Sequence, residues 1–186
     1  MKFKQSKKIN DVWYIYNFSI SDYRGSLTKV FDEDLFKKLK KNFNFEWKQV
    51  LISSSKKIHT IRGLFYQSHI LPEGKLIYCL KGSVFWVSLD LRLDSKTFGK
   101  WVSATLTEND KKGFLIPSGF ANGCLTLKKD TDILLLGNNN HLHKGGYNID
   151  WRDKDINIKW PKSKKYIFQN YQTTSFKEIK QILWKK

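Results

Sequence analysis

Val84-Phe85-Trp86-Val87-Ser88-Leu89-Asp90-Leu91 alternates with a period of two. Phe85, Val87, Leu89 and Leu91 fall on one side, and Val84, Trp86, Ser88 and Asp90 on the other. Successive side chains of a strand point to opposite faces, so this stretch predicts a β-strand with one wholly apolar face.

Similar runs lie on both sides of it. Strands are expected at 12–18, 58–62, 75–81, 101–107, 113–116, 120–127, 131–136 and 156–160. Turn residues separate them, such as Lys81-Gly82-Ser83, Glu108-Asn109-Asp110 and Pro117-Ser118-Gly119. Many short strands and few helices predict an all-β sandwich or barrel.

Two helices interrupt the pattern. Asp32 is placed to cap one running to about residue 42, with Leu35, Phe36 and Leu39 as its buried stripe. Ser175 and Glu178 have capping-box spacing before a second helix over 176–184. No linker, low-complexity tract or repeat divides the 186 residues, so residues 1–186 read as one domain.

Composition narrows the function classes. Forty per cent of residues are hydrophobic, enough for a folded core. No apolar run approaches the roughly 18 residues of a membrane span, so no membrane partner is expected. The charged N-terminus lacks a following apolar stretch, so no secretory signal is expected. Cys79 and Cys124 lie in apolar runs without metal-ligand spacing and read as buried thiols in a reducing cytoplasm. Lysine plus arginine number 34 against 17 acids, a net charge of +17 that attracts polyanions. The lysines are dispersed, and neither a zinc-finger spacing nor an aromatic RNA-binding signature accompanies them; nucleic acid is not the expected partner.

Six ordered blocks carry more specific information. They are Asp22-Tyr23-Arg24-Gly25, Arg62-Gly63-Leu64-Phe65-Tyr66-Gln67, Gly74-Lys75-Leu76, residues 90–101, Ile116-Pro117-Ser118-Gly119-Phe120-Ala121-Asn122-Gly123, and Ile156-Asn157-Ile158-Lys159-Trp160-Pro161. In this order and spacing, over about residues 11–170, the chain resembles the dTDP-4-dehydrorhamnose 3,5-epimerase family. The resemblance implies a cupin-type jelly roll, a homodimer, and one pocket per barrel for a nucleotide-diphosphate 4-keto-6-deoxy sugar. It implies a place in deoxysugar or surface polysaccharide (lipopolysaccharide) biosynthesis. No metal and no other cofactor is implied. The family reaction removes a proton beside the ketone with a histidine base held by an aspartate, and a tyrosine returns a proton from the other face.

This sequence departs from that pattern at the chemical positions. Phe65 stands where the family motif has its histidine base, and a benzyl ring cannot take a proton. Asn122 replaces a second histidine but can still donate a hydrogen bond. Leu135 aligns with the tyrosine donor, a second tyrosine aligns near Asn140 or His141, and the orienting aspartate falls near Asn170 or Tyr171. Arg24, Arg62, Gln67 and Lys75 match the positions that hold pyrophosphate and nucleotide, and with Asn122 they form the expected binding set. Strict alternation would set Arg62 and Phe65 on opposite faces, whereas a bulge at Gly63 lets both reach one pocket.

His59 or a tyrosine such as Tyr66 remains as a candidate for relocated acid–base work. His141-Leu142-His143 has part of a metal-cupin pattern but lacks its other ligands, so no metal is expected. Three readings stay open. One is a nucleotide-sugar binder that has lost ordinary 3,5-epimerisation, another an epimerase or isomerase with relocated catalytic residues, and the third a non-catalytic scaffold or partner of an active homologue.

Overall fold

The computed structural model describes residues 1–39, 46–68, 71–140 and 146–185. Two antiparallel sheets pack face to face as a cupin-type jelly roll. The first has the order β1 (Lys2–Gln5), β2 (Trp13–Tyr16), β10 (Lys112–Ile116), β7 (Lys75–Lys81), β12 (Thr131–Gly137), β5 (Gln49–Ser55). The second has the order β13 (Gly146–Asn148), β6 (Ile61–Gln67), β11 (Phe120–Thr126), β8 (Ser83–Asp90), β9 (Trp101–Thr107). A separate hairpin joins β3 (Ser19–Asp22) to β4 (Gly25–Thr28).

Strand β8 explains the layering. Val84 and Trp86 enter the core between the sheets with Ile77, Phe114, Cys124 and Ile133. Val87 and Leu89 face the other way and pack under α2 (Phe176–Trp184), against Phe176, Ile179 and Leu183. Both faces are therefore buried, which the single apolar face did not foretell. The polar residues on the inner side are satisfied there: Ser88 donates to Asn122 at 2.7 Å, and Asp90 accepts from Arg92, Ser95 and Thr97. A third cluster on the outer face of the first sheet joins Ile15, Leu76, Tyr78 and Leu136 to Phe36 of α1 (Glu33–Lys37).

The helix caps are as expected. The Asp32 side chain accepts from Leu35 N, and Ser175 and Glu178 form a reciprocal capping box. Helix α1 closes at Lys37; positions 40–42 of the expected helix lie outside the described residues. Two expectations need correction, and five strands went unread. The strand predicted at 58–62 starts only at Ile61, because His59 is left-handed with φ 59°. Residues 156–160 form no strand; Ile156 is buried under α2 and the Trp160 indole donates to Trp151 O at 2.9 Å. Strand β5 went unread because its serine run masks the alternation. The short β1, β3, β4 and β13 carry too few residues to show a period.

Candidate ligand-binding site

A cavity of about 690 Å³ opens between the two sheets. Its walls come from β5, β6, β7, β8, β11, β12 and β13, with residues 167–171 along its rim. Ile167 anchors the rim segment through a parallel bridge to Thr60, with Ile61 N donating to Ile167 O at 2.7 Å.

Local backbone geometry decides which side chains of β6 look inward. Phe65 pairs with Asn122 and Arg62 with Cys124, so β6 spends one residue more than β11 between the same two rungs. That is a bulge, and Gly63 sits in it with φ 91°. A Cβ on Gly63 would overlap Asn122 O and come within 2.8 Å of Gly123 Cα, so glycine is required by space as well as by conformation. The bulge lets both Arg62 and Phe65 line the cavity.

Phe65, Asn122 and Leu135, three strands' contributions, line this one cavity. The Phe65 ring lies so close over Gly146 that a side chain there would collide with it. Asn122 is largely committed: its Oδ1 accepts from Ser88 Oγ at 2.7 Å and Trp86 Nε1 at 3.3 Å, and its Nδ2 donates to Phe120 O at 3.1 Å. Only the second N–H of that amide stays available to a ligand oxygen.

Among the described residues, two cations line the cavity. Arg62 donates from Nε to Ser55 Oγ at 3.0 Å and from a terminal nitrogen to Ser54 O at 2.8 Å, which fixes its fork at the wall. Lys75 is ion-paired with buried Glu73, which in turn accepts from Gln49 Nε2 at 2.8 Å. Burial lowers the Lys75 pKa, and Glu73 opposes that shift. The Cys124 thiol also lines the cavity, and burial pushes its pKa up to about 12, so it is no nucleophile at neutral pH. Tyr171 sits at the rim with its hydroxyl on Gln169 Oε1 at 2.6 Å. Among the described residues, no histidine and no carboxylate lines the cavity.

The other sequence candidates lie elsewhere. Arg24 is at the exposed tip of the β3–β4 hairpin, bonded to Asp22 and 5.8 Å from the Tyr23 ring centroid. Gln67 is buried and donates to Leu71 O and Asn140 O. Neither lines the cavity of its own chain. His59 is likewise absent from the walls; its Nδ1 is 2.8 Å from Ser163 Oγ. His69, His141 and His143 lie outside the described residues. Among the described residues no three His, Cys, Asp or Glu side chains group as metal ligands. Tyr171, a position the resemblance pointed to, does reach the rim, whereas Trp86, Ile167, Phe168 and Gln169 were missed in the sequence, because nothing local signals that a C-terminal segment folds back over the barrel.

A family model described as dTDP-4-dehydrorhamnose 3,5-epimerase matches residues 6–182. The dTDP-4-dehydrorhamnose 3,5-epimerase of Sinorhizobium fredii is 36% identical over 163 residues, 88% of this chain and 83% of that protein. The crystal structure of the Elizabethkingia anophelis enzyme superposes with a TM-score of 0.88 at 28% identity, covering 95% of this chain and 97% of that one. The Legionella pneumophila dTDP-6-deoxy-D-glucose-3,5-epimerase, solved with dTDP-4-keto-L-rhamnose, gives a TM-score of 0.83 at 29% identity over 90% of this chain and 87% of that one.

Proposed function

The chain belongs to the dTDP-4-dehydrorhamnose 3,5-epimerase family, and from that premise we propose that it binds a nucleotide-diphosphate deoxysugar in its barrel without performing ordinary 3,5-epimerisation. The observation that carries this reading is the pairing of Phe65 with Asn122 inside a cavity that Leu135 also lines. The mechanism of the family needs a base, an orienting acid and a proton donor acting as a unit. Losing such a unit removes the mechanism rather than slowing it.

Ligand binding is supported separately. The cavity falls in the roughly 300–1,000 Å³ range of small-molecule sites. Arg62 offers a forked donor and Lys75 a point charge, the two devices that suit a diphosphate. The relative from Legionella pneumophila holds dTDP-4-keto-L-rhamnose, which makes such sugars the first ligands to try.

The test has two parts. A thermal shift with dTDP and dTDP-sugars should raise the melting temperature, since a ligand of the folded state stabilises it. Incubation with the 4-keto sugar nucleotide in deuterated water should leave C3 and C5 unlabelled. Labelling at enzyme-like rates would overturn the loss of catalysis, and absence of any shift would overturn the binding.

One observation favours a second reading, a relocated acid–base group. Lys75 lines the cavity with its pKa held down by burial, so any residual proton exchange falls to it rather than to His59. Loss of residual label in a Lys75→Gln variant at sugar-nucleotide concentrations that saturate it, with His59→Ala unchanged, would establish this reading.

A homodimer is proposed as the working unit. Strand β5 is one of the two edge strands of its sheet and exposes Val50 and Ile52, and the β3–β4 hairpin exposes Ile20, Tyr23 and Leu27. Apolar surface of this kind marks an association site.

A further inference from the structure

The fold gathers lysines that are far apart in sequence. The β5–β6 loop holds Lys56 and Lys57, the β11–β12 loop Lys128 and Lys129, and the segment leading to the cavity rim Lys164 and Lys165; all six are exposed. These three segments are tied to one another. Asp130 N donates to Lys56 O at 3.2 Å, and Thr126 Oγ1 to Lys57 O at 2.9 Å. His59 N donates to Thr126 O, and Ile167 N to His59 O, both at 2.9 Å. Ser163 Oγ lies 2.8 Å from His59 Nδ1 and 2.8 Å from Lys165 O. Opposing charge is limited: Asp130 lies in the β11–β12 loop, Asp132 is the second residue of β12, and Glu108 pairs with Lys128 at 3.5 Å.

Ile58 stands among these lysines and is 42% exposed. The left-handed turn at His59 follows it directly, and His59 is itself bonded on both sides, so the loop is held in place. An aliphatic side chain ringed by lysines is the chemistry of an anionic bilayer surface: the ammonium groups meet lipid phosphates and the apolar tip enters the acyl boundary. Nucleic-acid surfaces are built differently, with arginine forks and aromatic stacking platforms. Residues 56–60, 127–130 and 162–165 contain no arginine, phenylalanine, tyrosine or tryptophan, and the neighbouring Tyr166 and Phe168 rings are packed against Trp151, with Arg152 over Phe168.

We propose that this end of the barrel docks reversibly on a membrane of anionic lipid, with Lys56, Lys57, Lys128, Lys129, Lys164 and Lys165 as the contact and Ile58 as the inserted tip. The contact departs from the sequence-based expectation of no membrane partner; it needs no spanning segment and does not depend on what the cavity binds. It would hold the rim of the cavity close to the bilayer.

Vesicle flotation with the full chain tests it, using phosphatidylcholine vesicles with and without phosphatidylglycerol. At about 0.1 M salt the protein should float only with the anionic vesicles, and about 1 M salt should release it. Each lysine of the patch changed to alanine should lower partitioning about fivefold. The Lys56→Ala/Lys57→Ala and Lys128→Ala/Lys129→Ala pairs should act alike, whereas Lys2→Ala/Lys4→Ala on exposed β1 should have little effect. Ile58→Ser should weaken vesicle binding while leaving the melting temperature in place. No preference for anionic vesicles overturns the proposal, and so does a β1 pair as harmful as the patch pairs. Vesicle binding indifferent to Ile58→Ser and abolished by duplex DNA or RNA would assign the lysines to nucleic acid instead.

Discussion

Phe65 lies directly opposite Asn122 in the β6–β11 ladder, and both side chains line the barrel cavity. On the proposed reading, adding an imidazole there alone should achieve little. A Phe65→His variant places an imidazole in the cavity, yet Leu135 returns no proton and Tyr171 supplies no carboxylate. General acid–base groups each contribute about 10² to 10⁴ in rate, and they act together. Deuterium incorporation followed by NMR should stay near background in Phe65→His. It should rise by at least about 10² in the triple variant Phe65→His, Leu135→Tyr, Tyr171→Asp.

Arg62 and Lys75 predict a separation between binding and folding. Removing a charged hydrogen-bonding group from a ligand contact costs about 1.5–3 kcal/mol. Arg62→Ala and Lys75→Ala should each weaken dTDP-sugar binding at least about tenfold by calorimetry. Gln67→Ala should instead lower the unfolding free energy, because its amide bridges Leu71 O and Asn140 O and faces no ligand within its own chain.

Gly63 predicts a backbone effect. An alanine there is strained by the positive φ and collides with Asn122 O and Gly123. The expected loss is about 3 kcal/mol or more, as for other strained or overpacked sites. Chemical denaturation would measure it, and a loss below about 1 kcal/mol would contradict the packing described.

Asp90 predicts the acid limb of stability. Burial pushes its pKa up, but bonds from Arg92, Ser95 and Thr97 outweigh that and hold it below the ordinary carboxylate value. Because the folded value is the lower one, its contribution is full above the unfolded pKa of about 3.9 and disappears as pH falls through the folded value. Asp90→Asn should cost about 3 kcal/mol at neutral pH, since it leaves Arg92 half-buried with Asp11 alone among its carboxylate partners. It should also flatten the fall in stability below about pH 4 relative to the unmodified chain.

Strand β5 predicts the oligomeric state. Sedimentation should show a dimer, and Ile52→Asp should shift it to monomer with the fold intact. An unmodified chain that sediments as a monomer would remove the proposed unit.

Much of this protein was legible along the chain. The period-two run at 84–91, the Asp32 cap and the Ser175–Glu178 box are local, set by the direction successive side chains take and by the orphan amides of a helix start. The chemistry open to Phe65 is equally local, because a hydrocarbon ring has no proton to exchange wherever it points. What sequence could not decide is which matched residues share a space. Arg62 reaches the cavity only through the bulge at Gly63, while Gln67 is spent on backbone carbonyls and Arg24 stands on an outer hairpin. The burial of Ser88 and Asp90, the rim at 167–171 and the joined lysine loops likewise depend on pairing between segments from about 30 to 104 residues apart. Side-chain alternation is a property of one strand, whereas a cavity is made by the register among several.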